Sequence, residues 1–566
     1  MLLPYDPAQL LASLQELNLI EETALQNAYQ ESTATNLPFD QILLRLNLIS
    51  DENLGKVIAE LIGIPYVHLS HVHIPAPVLN LIPETFAKKH HVIVYQNENG
   101  QVAIATSHPQ NLVAQEFIKR AVNAELKVAY TTQRELTQAL SLYTPDIKSV
   151  ITPLIETKSG EQPIIEIVDN ILGYGYKYKA SDIHIEPIDE YSLVRMRIDG
   201  VLHDSLELPI KLHEQVVTRI KVLAKLRTDE HQAAQDGKLQ FDVDEEPVDV
   251  RVSIVPITNG EKIVMRLLSK QAREYSLQDL GISSSDLDKI NRAYEKPYGM
   301  ILSTGPTGSG KTTSLYTILK MVNKRDINIM TIEDPVEYTI AGINQIQVNT
   351  KTNLTFAAGL RSIVRQDPNV ILVGEIRDEE TAGIAVNAAM TGHLVLSTLH
   401  TNNAATAIPR LLDMEVEPFL VASSINVIIA QRLVRKTCLR CRVSKEVTLS
   451  ELSSKTSEQS DGAVDQMGEA HFTQLKHHFD DQEKIRVYEG KGCEVCHHTG
   501  YVGRIGIFEV LEITEEIRQA ITDRQDAGNI QTLAMKQGMT TMFEDGLEKM
   551  KQGQTTLAEI LRVTKE

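Results

Sequence analysis

The sequence motif that most constrains the fold is the octapeptide GPTGSGKT at residues 305–312. It matches GxxxxGK[ST] at every fixed position, a strand-like apolar stretch at 300–304 precedes it, and a helical stretch begins at 313. The backbone N–H groups of such a loop surround phosphate oxygens at the positive end of a helix dipole. In this motif Lys311 is expected to bind the β- and γ-phosphates, and Thr312 to bind magnesium. The predicted nucleotide-binding residues are Gly305, Pro306, Thr307, Gly308, Ser309, Gly310, Lys311, Thr312 and Thr313.

Two predicted strands of the same region end in acidic residues. The apolar stretch 370–373 runs into Gly374 and Glu375, and the stretch 327–332 runs into Glu333. Parallel strands bring their carboxyl ends to one edge of a sheet, so both acids are expected beside the phosphates. One carboxylate could help to bind magnesium, and the other could polarise the attacking water. The alternative is that both acids only cap helices and take no part in the chemistry.

Two histidines flank a third apolar stretch at 394–398. His393 precedes this stretch and His400 follows it closely. The spacing alone leaves three roles open for the pair: sensing a γ-phosphate, contacting a neighbouring chain, or serving as ordinary polar caps of a strand.

Composition and charge narrow the class of protein. Of the 566 residues, 42% are hydrophobic and 23% charged, as is typical of a multidomain globular chain. The 56 basic and 75 acidic residues give a net charge of −19, and 5% are aromatic, so nucleic acid is not expected as a partner. The longest apolar candidate, 419–430, contains polar residues and is predicted to be a buried helix. Few cysteines and no signal peptide favour the cytoplasm.

The order of predicted elements divides the chain into regions. A repeat at an offset of 29 residues, with turns at Asn18 and Asn47, predicts four helices, and strands around a helix follow. A polar stretch without apolar periodicity predicts a linker, after which come an α+β domain and then strands alternating with helices, as in a parallel sheet. The predicted regions are an N-terminal module at 1–143 (helical at 1–62, α/β at 63–143), a linker at 144–162, a middle domain at 163–271 and a P-loop domain at 272–566.

All four cysteines fall in two CxxC pairs, Cys438 with Cys441 and Cys493 with Cys496. Two such pairs supply the four thiolates of a closed tetrahedral zinc site. They define a zinc subdomain at 436–503, in which the polar stretch 450–484 is predicted to be a solvated insertion. Redox or unmetallated pairs are the alternative, and the adjacent histidines at 497 and 498 are weaker candidate ligands.

Four motifs in order resemble the secretion ATPase superfamily, and within it the motors of type II secretion and type IV pilus assembly. The resemblance rests on the Walker A sequence at 305–312, an aspartate box at 331–337, a Walker B sequence at 365–378 and a histidine box at 391–402. It implies that Glu333 is the general base, that Glu375 supports magnesium, and that His393 and His400 line the site. It also implies a RecA-like core within a multidomain α/β and α+β fold.

The middle region resembles the second N-terminal domain of that family, through SDIHIEP at 181–187 and VDVRVS at 248–253. In the family this domain closes on the nucleotide and contributes arginines, and a guanidinium beside the γ-phosphate stabilises transition-state charge. By this resemblance Arg251 is the leading arginine finger and Arg266 the next. Relatives usually show QDGR where this sequence has QDGK, so a second finger would be Lys238. Taken alone, each arginine could instead form a surface ion pair.

The N-terminal helices resemble a domain that binds cyclic di-GMP in some relatives. The arginine and glutamine that would hold this ligand are missing, since the second repeat begins with Leu-Pro-Phe at 37–39 and ends at Glu60. The sequence therefore favours a docking module over a second-messenger sensor.

The motifs predict ATP hydrolysis with Mg²⁺ and one structural Zn²⁺, and the resemblance implies a hexameric motor that drives pilin polymerisation in type IV pilus assembly. The resemblance implies an inner-membrane platform protein and membrane-anchoring components as partners, with the protein at the cytoplasmic face of the membrane. The alternative within the family is a type II secretion or competence motor. Alternatives from other classes are a nucleic-acid motor and a regulatory nucleotide-binding protein without turnover.

Overall fold

The protein is described from a computed structural model. The described residues are 4–17, 20–35, 37–45, 48–49, 51–69, 72, 74–98, 100–143, 147–157, 162–243, 246–268, 276–448, 475, 484–496 and 499–564. The predicted insertion at 450–484 and the histidines at 497 and 498 lie outside them, apart from Leu475 and Lys484.

The chain divides into two compact units. The first comprises Met1–Val150, Cys438–Arg442 and Gly490–Gly500, and the second comprises Ile151–Thr437, Val443–Glu489 and Tyr501–Glu566. The cysteine-bearing segments are thus grouped with the N-terminal residues, whereas the sequence placed them in the P-loop domain. The domain boundaries derived from the sequence stay a prediction.

Four helices open the first unit: α1 (Pro7–Glu16), α2 (Glu22–Thr35), α3 (Phe39–Arg45) and α4 (Asp51–Ile62). The Asp6 side chain caps α1 by accepting from the backbone N–H of Ala8. Leucines on all four helices, including Leu14 and Leu43 at equivalent repeat positions, share one buried core. The turn residues Asn18 and Asn47 lie outside the described part of the chain.

A small α/β layer completes the N-terminal part of the first unit. It consists of α5 (Ala76–Leu79), α6 (Glu84–His90), β1 (Val92–Glu98), β2 (Gln101–Thr106), α7 (Leu112–Val122), β3 (Glu125–Tyr130) and α8 (Gln133–Leu140). The sheet order is β1-β2-β3, with β1 antiparallel and β3 parallel to β2. The buried faces of β1 and β2 hold Val92, Ile93, Val102 and Ile104, as their β-branched composition predicts.

The stretch predicted as a linker contains a helix, α9 (Ile147–Thr157). Ile147 and Ile151 are 2% and 0% exposed, respectively. Their spacing of four residues is the apolar periodicity of a helix, which the sequence analysis overlooked. The prediction of a stretch without periodicity is therefore wrong for these residues, and residues 158–161 lie outside the described part.

The second unit contains a six-stranded antiparallel sheet. Its elements are α10 (Gln162–Lys177), β4 (Asp182–Pro187), β5 (Tyr191–Ile198), β6 (Val201–Pro209), α11 (His213–Leu223), β7 (Gln235–Val243), β8 (Glu246–Ile257) and β9 (Gly260–Leu268). The strand order is β6-β5-β4-β9-β8-β7. Arg251 on β8 pairs in register with Lys238 on β7 and with Arg266 on β9. The three predicted finger residues therefore lie side by side across this sheet.

The second unit also contains a seven-stranded sheet with helices around it. Its elements and those that follow are α12 (Ser284–Tyr294), β10 (Gly299–Thr304), α13 (Lys311–Val322), β11 (Ile329–Glu333), β12 (Asn344–Gln347), α14 (Phe356–Ile363), β13 (Val370–Val373), α15 (Glu379–Met390), β14 (Leu394–Leu399), α16 (Ala407–Asp413), α17 (Pro418–Ser424), β15 (Ile425–Thr437), β16 (Arg442–Val447), β17 (Ile485–Gly490) and β18 (Tyr501–Glu512). The order is β12-β11-β13-β14-β10-β15-β18, while β16 and β17 form a separate pair. All neighbours are parallel except β15 and β18. The carboxyl ends of β10, β11, β13 and β14 therefore share one edge.

The stretch 419–430, predicted as one buried helix, changes structure at its middle. Helix α17 ends at Ser424 and strand β15 begins at Ile425. Val427, Ile428 and Ile429 are 0% exposed, and β15 pairs with β10 inside the sheet. The helix prediction is wrong for 425–430 because β-branched residues buried on both faces favour a strand. Within the described residues, no helix has the length and apolar character needed to cross a bilayer.

Four helices close the chain: α18 (Glu515–Thr522), α19 (Ala527–Lys536), α20 (Met542–Lys551) and α21 (Leu557–Thr564). Glu559 joins α21 to the sheet, because its carboxylate accepts from Arg435 Nη2 at 2.7 Å and from Arg562 Nε at 2.9 Å. Burial raises the pKa of Glu559, but the hydrogen bonds from Arg562 and Arg435 outweigh burial and lower it to about 2. The ionised carboxylate is therefore the form that the fold stabilises.

We expect Glu559→Gln to reduce the free energy of unfolding by about 3 kcal/mol at pH 7, which is the linkage energy of this pKa shift. Because the folded-state pKa lies below the unfolded one, the difference from wild type persists above pH 4.5 and shrinks as the pH falls toward 2. Urea denaturation at a series of pH values measures it. Glu548→Gln on α20, where the side chain is 60% exposed, is the matched control. Equal stability of the Glu559→Gln and Glu548→Gln proteins at pH 7 would contradict the expectation.

Candidate active site

The loop between β10 and α13 has the backbone of a phosphate-binding loop. Gly305, Gly308 and Gly310 have φ values of 139°, 78° and 93°, a region that favours glycine. A Cβ at Gly305 would lie 2.5 Å from the carbonyl oxygen of Gln431, so a side chain does not fit there. The loop leads directly into the amino terminus of α13, where Lys311 is the first residue. This is the strand, loop and helix arrangement that the motif predicts.

The Lys311 side chain is folded over the loop. Its Nζ donates to the carbonyl oxygens of Gly305 at 2.8 Å and Pro306 at 3.0 Å. Burial lowers the pKa of Lys311, and the negative charge of Glu375 partly offsets this. The buried Ser309 hydroxyl has no hydrogen-bond partner within the described residues. An ammonium group and an unsatisfied hydroxyl in one loop suit a phosphate ligand, which can accept from both.

Gln431 supports this loop from β15, a contact that the sequence analysis missed. The side chain is 2% exposed. Its Nε2 donates to the Ser309 carbonyl at 2.8 Å, and its Oε1 accepts from the Ser314 hydroxyl at 2.8 Å. The only sequence signal is an uncharged polar residue directly after the apolar run 427–430. The buried amide fixes the loop to the first turn of α13.

Glu375 and His400 lie together at the carboxyl edge of the sheet. Glu375 follows β13, its side chain is 12% exposed, and its carboxylate contacts Arg377 Nη2 at 2.6 Å. His400 follows β14, and its Nε2 lies 3.5 Å from Glu375 Oε2. The sheet order places β14 between β13 and β10, so this pair and the phosphate-binding loop share the same edge.

His393 lies at the opposite end of β14. The strand covers six residues, which separates the two histidines by roughly 20 Å. His393 Nδ1 contacts the Ala388 carbonyl at 2.9 Å, beside the last turn of α15. Within this chain the expectation that both histidines line one site is therefore wrong for His393, because an extended strand holds its ends apart.

Glu333 is the last residue of β11 and is 3% exposed. Its Oε1 accepts from Thr331 Oγ1 at 2.5 Å and from Gln345 Nε2 at 3.2 Å, and its Oε2 accepts from the Tyr316 hydroxyl. The structure thus places Glu333 at the same sheet edge as Glu375 but in a separate network of hydrogen bonds. Neither Tyr316 nor Gln345 was identified from the sequence, because no motif marks them.

The two predicted finger arginines have different partners. Arg251 Nη2 donates to the Val336 carbonyl at 2.8 Å and contacts Glu337 Oε2 at 3.0 Å. These two residues follow Glu333 closely, so Arg251 connects the six-stranded sheet to the segment after β11. Arg266 is 57% exposed, and its Nε contacts Asp182 Oδ1 at 2.9 Å. In this structure, therefore, Arg251 binds the loop that begins at Glu333 and Arg266 forms an ion pair.

The four predicted zinc ligands come together in the first unit. Their Sγ atoms lie within 4.8 Å of one another: Cys438 to Cys493 at 3.8 Å, Cys441 to Cys496 at 3.8 Å and Cys493 to Cys496 at 3.6 Å. A tetrahedral zinc site with Zn–S bonds of about 2.3 Å requires sulfurs about 3.8 Å apart. These distances fit zinc, and they exclude disulfide bonds, in accord with four free thiols.

Backbone N–H groups complete the surroundings of the cysteines. Gly492 donates to Cys441 Sγ at 3.2 Å and Gly500 donates to Cys496 Sγ at 3.3 Å. The backbone of Cys438 also donates to the Gly500 carbonyl at 2.8 Å, which joins the two CxxC segments. Donors aimed at sulfur favour the thiolate form that a metal needs.

A mainly parallel sheet with this order and a GxxxxGK[ST] loop after its internal strand β10 defines a P-loop nucleotide-binding protein. Residues 157–562 match the family described as "Type II/IV secretion system protein", and residues 62–150 match the MshEN domain. The chain belongs to the type II/IV secretion system protein family. It is an ATP hydrolase.

Two curated relatives align over nearly their whole length. The type II secretion system protein E of Xanthomonas campestris is 37% identical over 99% of this chain and 98% of its own. The type IV pilus assembly ATPase PilB of Myxococcus xanthus is 35% identical over 96% of each chain. Among solved structures, the ATPase DotB of Yersinia pseudotuberculosis covers 72% of this chain and 94% of its own, with a TM-score of 0.51 and 19% identity, and so supports the fold.

Proposed function

We propose that the protein is a ring-forming motor, a homo-hexamer, that couples ATP hydrolysis to pilin polymerisation in type IV pilus assembly. The observation that carries this proposal is the alignment of 96% of the chain with a pilus assembly ATPase, together with the P-loop at Lys311. The second candidate is a type II secretion motor, which the 37% identity to a type II secretion system protein E favours. A competence motor belongs to the same mechanistic class.

Each residue at the carboxyl edge of the sheet has a separate role in the proposed hydrolysis. Lys311 exchanges its two carbonyl partners for β- and γ-phosphate oxygens. Thr312 and Glu375 are the residues that would hold Mg²⁺, which supplies charge neutralisation on the phosphates. Glu333 takes a proton from the attacking water as general base. His400 lies at the same edge and contacts Glu375.

The six-stranded sheet supplies the cations that stabilise the transition state. We infer that Arg251 leaves Glu337 and reaches the γ-phosphate when the middle domain closes on the nucleotide. Arg266 and Lys238 are secondary candidates because they flank Arg251 in register. Closure at ATP binding and release after hydrolysis would make this domain the moving part.

The remaining parts of the chain support assembly and attachment. The four cysteines would hold one structural Zn²⁺, since their sulfur spacing suits it. We propose that the N-terminal module docks on an inner-membrane platform protein and its cytoplasmic anchoring components, which would hold the motor at the membrane. The missing arginine and glutamine favour docking over cyclic di-GMP binding. The net charge of −19 disfavours nucleic acid as a partner.

Gene replacement in the source organism tests this function. We expect Lys311→Ala to abolish surface pili while protein level and fold are retained, because Nζ is the group placed to bind phosphate. Lys324→Ala, a change at an exposed lysine of the same domain, should keep pili. Pili are counted by electron microscopy. Retained pili together with loss of secreted enzymes would show the secretion motor instead, and loss of neither would contradict both candidates.

A further inference from the structure

Glu333 lies in a closed network of hydrogen bonds. Three donors reach its carboxylate: the hydroxyls of Thr331 and Tyr316 and the amide of Gln345. Thr331 and Tyr316 are 0% exposed and Glu333 is 3% exposed, so bulk solvent does not compete for these bonds. A carboxylate held by three donors has a defined plane and direction, as a general base requires.

We propose that Tyr316 and Gln345 are positioning residues that orient the Glu333 carboxylate for its reaction with water. The inference rests on the proposed role of Glu333 as general base. It adds two residues from other elements, helix α13 and strand β12, to the machinery of hydrolysis.

The orientation of the Gln345 amide is fixed by its other partners. Its Oε1 accepts from the backbone N–H of Ile340 at 2.8 Å, which assigns oxygen to that side. Its Nε2 therefore faces the Glu333 carboxylate and also the Tyr338 carbonyl, both at 3.2 Å. Gln345 pairs in register with Thr331 on the neighbouring strand, so its position follows from the sheet. The amide thus joins Glu333 to the segment 338–340.

Tyr316 links the same carboxylate to the phosphate-binding loop. It lies on α13, the helix that begins at Lys311, and its ring packs edge-on against Tyr338 with centroids 4.9 Å apart. Burial, and then the charge of Glu333, raise the pKa of Tyr316, so the phenol keeps its proton and is the donor. This hydrogen bond therefore couples Glu333 to the helix that follows the phosphate-binding loop.

Arg251 contacts the segment that follows Glu333 in the chain. Its Nη2 donates to the Val336 carbonyl at 2.8 Å and lies 3.0 Å from Glu337 Oε2. The six-stranded sheet therefore contacts the segment directly after the proposed general base. Because the Tyr316 phenol donates to Glu333, its loss should affect catalysis rather than nucleotide binding.

We expect Tyr316→Phe to lower kcat for ATP hydrolysis about tenfold, because a small misplacement of a catalytic group has an effect of this order or larger. The dissociation constant for a fluorescent ADP analogue should stay within about twofold of wild type, since no phosphate contact is removed. Gln345→Met should give the same pattern through the other oxygen of Glu333. Tyr298→Phe removes a phenol from a residue that is 54% exposed and is the matched control, with wild-type kcat.

A double-mutant cycle separates positioning from a structural role. In a Glu333→Gln background, Tyr316→Phe should not reduce the residual rate further, because no carboxylate remains to be oriented. A wild-type kcat for Tyr316→Phe, or an equal loss in both backgrounds, would overturn the inference. If Glu333→Gln alone kept the wild-type rate, the proposed function of Glu333 would fail instead, so the two failures are distinguishable.

Discussion

Replacing Glu333 by Gln is expected to reduce kcat for ATP hydrolysis by about 10²–10⁴-fold, the contribution typical of a general base. The amide keeps the size of the side chain; its oxygen can accept from Thr331 while its NH2 group donates to the Tyr316 hydroxyl oxygen, so the fold should be preserved. Nucleotide affinity should change little, because the phosphates are bound by the loop at 305–312. Steady-state phosphate release, with fluorescent nucleotide binding measured in parallel, tests both expectations.

Glu379→Gln provides the control for this experiment. Glu379 is an exposed acid at the start of α15, near the same sheet edge. Its replacement alters the net charge by the same amount without touching the Glu333 network. If Glu333→Gln hydrolysed ATP as fast as Glu379→Gln, Glu333 would not be the base, and Glu375 would become the candidate.

Removal of zinc is expected to unfold the two CxxC segments. In zinc-finger peptides the metal contributes about 10–16 kcal/mol at pH 7, which is comparable with the whole stability of a domain, about 5–15 kcal/mol. We expect the purified protein to carry one zinc per chain and Cys493→Ser to lose most of it, since one of four thiolates is removed. Metal analysis by mass spectrometry measures the content.

Hydrogen exchange reports the structural consequence of zinc loss. The N–H groups of Gly492 and Gly500, which donate to cysteine sulfur, should exchange slowly with zinc bound and rapidly after treatment with a zinc-selective chelator. Added Zn²⁺ should restore protection, while added Mg²⁺ should not. Unchanged protection in metal-free protein would show that the cysteine cluster is stable by itself.

The parts of the site that could be predicted from the sequence all belong to local motifs. The loop at 305–312, the acids at the ends of β11 and β13, and the two CxxC pairs each depend on residues that are adjacent or closely spaced in the chain. Such patterns predict where their residues lie, since the end of a strand fixes the position of the next residue.

The contacts that sequence reasoning missed join distant parts of the chain. Gln431 donates to the carbonyl of Ser309, which lies 122 residues earlier in the chain. Gln345 donates to Glu333 from a neighbouring strand. No spacing rule identifies such partners. The errors in secondary structure have a related cause: residues 425–430 form a strand because the sheet offers β10 as a partner, and tertiary context outweighs local pattern.

The contact between Arg251 and Glu337 has a consequence for nucleotide affinity. A guanidinium that binds a carboxylate at 3.0 Å is not available to a phosphate, so in the proposed closure the two anions compete for one cation. In that closure ATP would have to displace Glu337, and its apparent affinity would be reduced by the free energy of that exchange. Because one anionic partner would replace another, the net energy of the exchange would be smaller than the energy of either contact. The proposed motor would then open and close near equilibrium, with phosphate release returning the arginine to Glu337.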